Sequence, residues 1–152
     1  DFALTLTPRG KALHIVPRIA VLGIGCKRGT SAEKLEAVFA AFCAEHRLAL
    51  QGIMQAASID LKQDEPGLAA FCHAHGWPMD FYTADELRTA PGNFTASNFV
   101  QSVTGVDNVC ERAAVLASGG ELLLPKWAHD GVTFAVACAP FAPDWRWKND
   151  EP

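Results

Sequence analysis

The feature that most constrains the fold is a glycine-rich segment, residues 23–31, between an apolar run and an amphipathic pattern. Residues 18–24 predict a buried strand, and apolar side chains at i, i+3, i+4 and i+7 from Leu35 predict a helix after the turn. Backbone N–H groups at such a turn, together with the helix dipole, favour a bound anion. The expected anion-binding residues are Gly23, Gly25, Cys26, Lys27, Arg28, Gly29, Thr30 and Ser31.

The remaining pattern alternates strands and helices, which predicts right-handed crossovers and a largely parallel sheet. Strands at 121–124 and 132–138 are separated by a link too short for a crossover helix, residues 125–131. That pair is therefore expected to be antiparallel. We predict an α/β fold with three α/β/α layers and a mostly parallel mixed sheet of about five strands, with the antiparallel pair at its edge.

Local signals set the expected helix ends. Thr30 with Glu33, and Thr83 with Glu86, have the spacing of capping boxes. Pro66 is expected to open a short helix that Gly76–Pro78 ends, and Thr104–Asp107 to cap a later one that ends at Gly119.

Length and composition bound the class of protein. The 152 residues suit one domain, expected at 18–140, with an irregular leader at 1–17 and a tail at 141–152. A net charge of −4 argues against general nucleic-acid binding, and no apolar run reaches the roughly 20 residues of a membrane helix. Five cysteines without a Cys-x-x-Cys motif indicate reduced thiols and a cytoplasmic location.

A second polar loop follows the next predicted strand. It offers a hydroxyl, two carboxylates and a cation from Ser58, Asp60, Glu65 and Lys62. Ligands of open parallel sheets bind at the carboxyl ends of strands, so both loops are expected at one edge. The alternative is a solvated loop whose acids cap the helix at Pro66; for Asp60 and Lys62 the sequence favours neither interpretation.

A third group consists of Thr104 and Gly105, at another helix start, and Lys126, after a predicted strand. One interpretation is that all three face the same edge of the sheet. The alternative is that Thr104 and Gly105 are ordinary helix-cap residues and Lys126 is a loop lysine. Cys26, at a helix start beside two cations, is expected to have a lowered pKa.

Metal and nucleotide sites are less well supported. Three ligands within Cys72–His75 cannot all face one ion, so we expect no metal and no cofactor. The glycine spacing G-x-G-x-x-x-G departs from the dinucleotide fingerprint, and no acidic residue follows about 20 positions later. A nucleotide-binding module stays an alternative.

Three ordered blocks resemble one family. They are Gly23–Thr30, then Ala57–Leu68, then Thr104–Lys126 with its Cys110-Glu111 and Leu124-Pro125-Lys126. They are similar to the CobE family, which is equivalent to the C-terminal domain of CbiG, and the resemblance covers roughly residues 18–138. It implies a protein of cobalamin biosynthesis. The longer CbiG proteins hydrolyse the lactone of cobalt-precorrin-5A and release acetaldehyde, whereas the stand-alone CobE form has no settled role.

The resemblance implies a corrinoid or precorrin intermediate as ligand, with other enzymes of the pathway as further partners. Its acetate and propionate groups would bind Lys27, Arg28, Lys62 and Lys126 through charge-assisted bonds. Phe94 or Trp127 would cover the apolar ring. The enzymatic alternative is a lactone hydrolase in which Asp60 or Glu65 activates water and the N–H groups of residues 25–29 hold the oxyanion.

Overall fold

The computed structural model describes part of the chain, with gaps. The described residues are 2–4, 13–15, 20–47, 52–92, 94 and 108–139. The first two segments, of which only the backbone is described, form short parallel strands, β1 (Phe2–Leu4) and β2 (Leu13–Ile15).

The main sheet has five strands in the order β5-β4-β3-β7-β6. Their bounds are β3 Ala20–Cys26, β4 Ile53–Ile59, β5 Met79–Tyr82, β6 Glu121–His129 and β7 Val132–Cys138. Strands β3, β4 and β5 pair in parallel, whereas β7 is antiparallel to both β3 and β6. Four strands therefore point the same way, and the predicted mixed sheet with an antiparallel edge pair is confirmed.

Helices cover both faces of this sheet. The helices are α1 Ala32–His46, α2 Pro66–His75, α3 Ala84–Arg88 and α4 Val109–Ser118, and a 3-10 turn spans Asp60–Lys62. Alternate residues of β3 divide between the faces, because side chains of a strand point to opposite sides in turn. Leu22 and Ile24 pack with α1 and α2, whereas Val21 packs with α3 and α4. The three-layer arrangement is thus confirmed.

The hairpin at the sheet edge differs from the predicted link. Strand β6 continues to His129, which pairs directly with Val132, so the turn has two residues. Asp130 and Gly131 occupy it with φ of 55° and 81°, the positive values that tight hairpin turns require. The expected link of residues 125–131 was wrong, and Lys126 lies within a strand rather than in a loop.

Helix caps were predicted with mixed success. The Thr83 and Glu86 capping box, Pro66 at the start of α2 and the left-handed Gly76 and Gly119 at helix ends are confirmed. The Thr30 box is wrong, because the side chain of Ser31 accepts the Lys34 N–H instead. Asn108 caps α4 in the left-handed conformation, with its side chain accepting the Glu111 N–H, in place of the expected segment 104–107.

Candidate functional site

The first two polar loops meet at the carboxyl ends of β3 and β4. The Gly29 N–H donates to Oε1 of Glu65 at 2.9 Å, although 36 residues separate them in the chain. At the same junction a Cβ on Gly67 would lie 2.0 Å from the carbonyl oxygen of Thr30, so only glycine allows α2 to approach the turn this closely. The expectation that both loops share one edge of the sheet is therefore confirmed.

Glu65 forms the link between these loops. Its residue is only 5% exposed, it stands at the N-cap position of α2, and it makes no side-chain cap bond to its own helix. The carboxylate instead holds the Gly29 N–H, which the sequence had offered as an oxyanion donor. In this arrangement Glu65 shapes the glycine turn, and the Gly29 N–H is occupied by a carboxylate of the protein itself.

Cys26 lies at the end of β3 beside both loops. Burial raises the pKa of its thiol; the Lys62 ammonium lowers it, the Glu65 carboxylate raises it, and the Thr30 hydroxyl lowers it. Desolvation disfavours the thiolate more than the nearby cation favours it. The predicted lowered pKa of Cys26 was wrong, because the strand continues through residue 26 and leaves the thiol partly buried against the core.

Other proposed ligands lie inside the fold. Gly23 and Gly25 belong to β3, and a Cβ on Gly23 would lie 1.8 Å from the carbonyl oxygen of Cys110. Gly23 thus lets α4 approach the sheet. Ser58 is fully buried, and its hydroxyl donates to the Ile24 carbonyl at 2.7 Å. The structure therefore places Gly23 and Ser58 in packing contacts.

The cations occupy different positions at this end of the sheet. Lys27 and Arg28 are exposed in the turn, and the Lys27 side chain lies against Gly131 at the tip of the β6–β7 hairpin. Lys62, half-buried, is near Cys26, and Asp60 is exposed at the start of the 3-10 turn. Lys27, Arg28 and Lys62 therefore come from adjoining loops and leave their charges accessible.

Lys126 belongs to a second cluster, at the start of α4. Its backbone N–H donates to Oε2 of Glu111 at 2.5 Å, and the Asn108 amide donates to Oε1 at 2.6 Å. Glu111 is fully buried. Burial raises the pKa of the nearby Cys110 thiol to about 12, and the charge of Lys126 lowers it by a smaller amount. The sequence interpretation gave Glu111 no role, although a carboxylate within the apolar face of a helix signals a buried polar anchor.

A cleft opens beside the Lys62 loop, between α2 and the edge strand β5. Its volume is about 220 Å³. Of the four proposed cations, Lys62 alone lines it among the described residues. The lining residues are Lys62, Gln63, Glu65, Ala69, Cys72, His73, Trp77, Met79 and Phe81.

The aromatic residues proposed to cover a ring are engaged elsewhere. The Trp127 indole N–H donates to Glu45 at 2.9 Å, and its ring packs on Phe42 of α1. The Arg112 guanidinium lies over the Phe94 ring, with its Cζ atom 4.7 Å from the centre of that ring. Leu61, beside Lys62, is 54% exposed and offers apolar surface at the loop edge.

Within the described segments, no three His, Cys, Asp or Glu residues are arranged to hold a metal ion. The Nε2 atom of His75 instead lies 2.9 Å from Oε1 of Glu36, and its ring stacks on Trp77, while Cys72 is buried in the core.

In the part of the chain that the structure describes, no helix is both long and apolar enough to cross a bilayer. Thr104 and Gly105 lie outside the described residues.

The fold and the joined loops define the class of protein: a three-layer α/β domain with basic loops at the carboxyl ends of its parallel strands. Residues 20–137 match the family described as Cobalamin synthesis G C-terminus. The chain belongs to this family, as the resemblance in the three sequence blocks had predicted, and is a cobalamin biosynthesis protein.

Relatives with curated names agree with this assignment. The chain is 35% identical over 126 residues to the cobalt-precorrin-5A hydrolase of Priestia megaterium, a match covering 82% of this chain and 33% of that protein. It is 32% identical over 105 residues to Protein CobE of a Sinorhizobium species, covering 68% of each. The chain thus spans about a third of the length of the curated hydrolases that it matches.

A solved structure supports the fold independently. The crystal structure of CobE, a protein from the cobalamin biosynthetic pathway, superposes with a TM-score of 0.72 at 32% identity. The match covers 82% of this chain and 93% of that one. The α/β fold of this chain is therefore the fold of a structurally characterised family member.

Proposed function

We propose that the chain binds a carboxylate-rich corrinoid or precorrin intermediate at the edge where the Gly29 and Lys62 loops meet. The observation that carries the proposal is the Gly29 to Glu65 bond of 2.9 Å, because it fixes the two cation-bearing loops side by side. Lys27, Arg28 and Lys62 then present their charges within one region of the surface.

The ligand's chemistry suits these groups. A corrin intermediate carries acetate and propionate groups around an apolar ring, and each charge-assisted bond to a carboxylate contributes about 1.5–3 kcal/mol. The exposed Leu61 offers an apolar contact beside Lys62. Thr104, Gly105 and Lys126 stay part of the proposal as further ligand contacts. The five cysteines are free thiols, which supports the proposed reducing, cytoplasmic location.

The test is retention of a corrinoid on a desalting column, followed by its visible spectrum and mass. Wild-type protein is expected to elute with unaltered pigment, and Arg28→Ala to weaken retention at least tenfold. Glu33→Ala, which changes an exposed residue of the first turn of α1, is the matched control. A pigment that never co-elutes with the wild type, particularly if ATP or NAD does, would refute corrinoid binding.

Hydrolysis of the precorrin lactone is the second candidate, and the names of the curated hydrolases that the chain matches favour it. Asp60 is the better general base, because it is exposed at the end of β4 whereas Glu65 is buried and bonded to Gly29. The same column experiment separates the candidates. A mass gain of one water, or loss of acetaldehyde, supports hydrolysis, and Asp60→Asn should then abolish turnover while retaining the pigment.

A further inference from the structure

We propose that the cleft between α2 and β5 receives one carboxylate-terminated side arm of the same pigment, with Lys62 binding the carboxylate. This inference rests on the proposed function and adds a second point of contact to it. The apolar part of the arm would lie against Trp77, Met79 and Phe81, and the polar end against Lys62, Gln63 and His73.

The size of the cleft selects an arm rather than a ring. Its volume is about 220 Å³. Pockets that enclose a whole drug-sized ligand have roughly 300–1,000 Å³. A macrocycle is larger than such ligands and cannot enter, whereas an acetate or propionate arm of a few heavy atoms fits.

The cleft also has the polarity of such an arm. Its lining combines the aromatic and aliphatic side chains of Trp77, Met79 and Phe81, which suit methylene groups, with one lysine, Lys62. Among the residues described, the Lys62 ammonium makes no ion pair. Lys62 therefore retains its capacity to bind a carboxylate with a charge-assisted bond.

Glu65 also lines the cleft, and its charge opposes that of the ligand. Its carboxylate is engaged with the Gly29 N–H and lies at the positive end of α2. The Gly29 N–H and the helix end therefore partly offset the charge of Glu65.

The location connects the cleft to the proposed ring site. Lys62 ends the 3-10 turn that begins at Asp60, and the exposed Leu61 lies between them. A ring that rests on Leu61 would direct one peripheral arm past Lys62 into the cleft. Arms on the opposite side of the ring would remain near Lys27 and Arg28.

The two methionines of the chain allow a direct test. Met79 lines the cleft, whereas Met54 packs with the core on the other face of the sheet and serves as an internal control. The chain is labelled with ¹³C-methyl methionine and assigned through Met54→Leu. It is then titrated with Co(III) cobyrinic acid, a corrin whose arms are free carboxylates, and with its fully esterified neutral form.

We expect cobyrinic acid to shift the Met79 methyl resonance and leave Met54 unmoved, with no Met79 response to the ester. Lys62→Gln should weaken the Met79 response about tenfold, equivalent to about 1.4 kcal/mol, and Lys62→Arg should restore it. Lys34→Gln is the matched control, because Lys34 pairs with Asp130 outside the cleft. Its titration should match the wild type.

The outcomes separate this inference from the proposed function. Cobyrinic acid that is retained on the column without moving Met79, or an equal Met79 response to the ester, overturns the inference and leaves corrinoid binding intact. If cobyrinic acid is not retained, the proposed function fails. In that case, a shift of the Met79 methyl resonance on adding sodium butyrate would show that the cleft takes a free short acid. That shift would also overturn the pigment arm as its occupant.

Discussion

The bond between Gly29 and Glu65 offers the sharpest test of how the site is held together. Glu65→Ala removes a buried carboxylate that accepts the Gly29 N–H at 2.9 Å. A hydrogen bond to a charged group contributes about 1.5–3 kcal/mol, so we expect the free energy of unfolding to fall by about 2 kcal/mol. With a urea m-value of about 2 kcal/mol/M, the unfolding midpoint should fall by about 1 M.

Two further variants separate the bond from the general effect of substitution. Glu65→Gln keeps an acceptor oxygen without the charge, and neutral bonds are roughly half as strong, so about 1 kcal/mol should be lost. Asp64→Asn changes the exposed neighbouring carboxylate and should stay within about 0.5 kcal/mol of the wild type. Urea unfolding followed by circular dichroism measures all three.

The reasoning also predicts a functional consequence. Glu65→Ala frees the Gly29 turn from α2, so corrinoid retention should weaken even in conditions where the variant is fully folded. A Glu65→Ala protein as stable as the wild type would refute the argument, because the cost of burying the carboxylate would then equal or exceed the strength of the bond. Unchanged stability together with unchanged retention would remove Glu65 from the site altogether.

Three other predictions concern single positions. In urea unfolding, Gly23→Ala should lower the free energy of unfolding by about 2–3 kcal/mol or more, because the new Cβ meets the Cys110 carbonyl. Gly29→Ala, where φ is 81° but the space around the Cβ is open, should cost about 1 kcal/mol. Equal losses in the two variants would contradict the close approach of α4. At pH 8, iodoacetamide should modify Cys26 more slowly than free cysteine, because burial raises the pKa of the Cys26 thiol, and the rate of modification should rise above pH 9. Mass spectrometry measures this rate, with Cys26→Ser as the blank. A reaction at pH 8 faster than that of free cysteine would contradict the burial. Glu111→Gln should cost at least about 2 kcal/mol in thermal unfolding, because one carboxylate oxygen that accepts an N–H becomes an amide donor; no shift in Tm would refute the anchor.

Local sequence signals predicted structure well where neighbouring residues decide it. The stripe of Leu35, Val38, Phe39 and Phe42 is the buried face of α1, because helical periodicity places all four on one side. The antiparallel edge pair was predicted from the length of its connection alone, since a short link excludes a crossover. Its two-residue turn was missed because Asp130-Gly131 was read within a longer loop.

The candidate site was predicted in outline and corrected in detail. The sequence located the glycine turn and the Lys62 loop at one edge, because the order of strands and helices fixes which loops follow strand ends. It could not assign a partner to Glu65, because the contact with Gly29 depends on how closely α2 approaches the turn. The same limit explains Cys26: its neighbours in sequence are cations, but its neighbours in space bury it.

The order of residues alone therefore determined the family, the layered α/β class and the loops that carry the cations, since these follow from periodicity, turn chemistry and motif. Packing decided which polar groups remain accessible. Glu65 and Ser58 are engaged inside the fold, Glu111 fixes α4 to β6, and Lys62 lies beside the cleft. These outcomes depend on distances between segments far apart in the chain, and such distances are set only when helices and strands pack together.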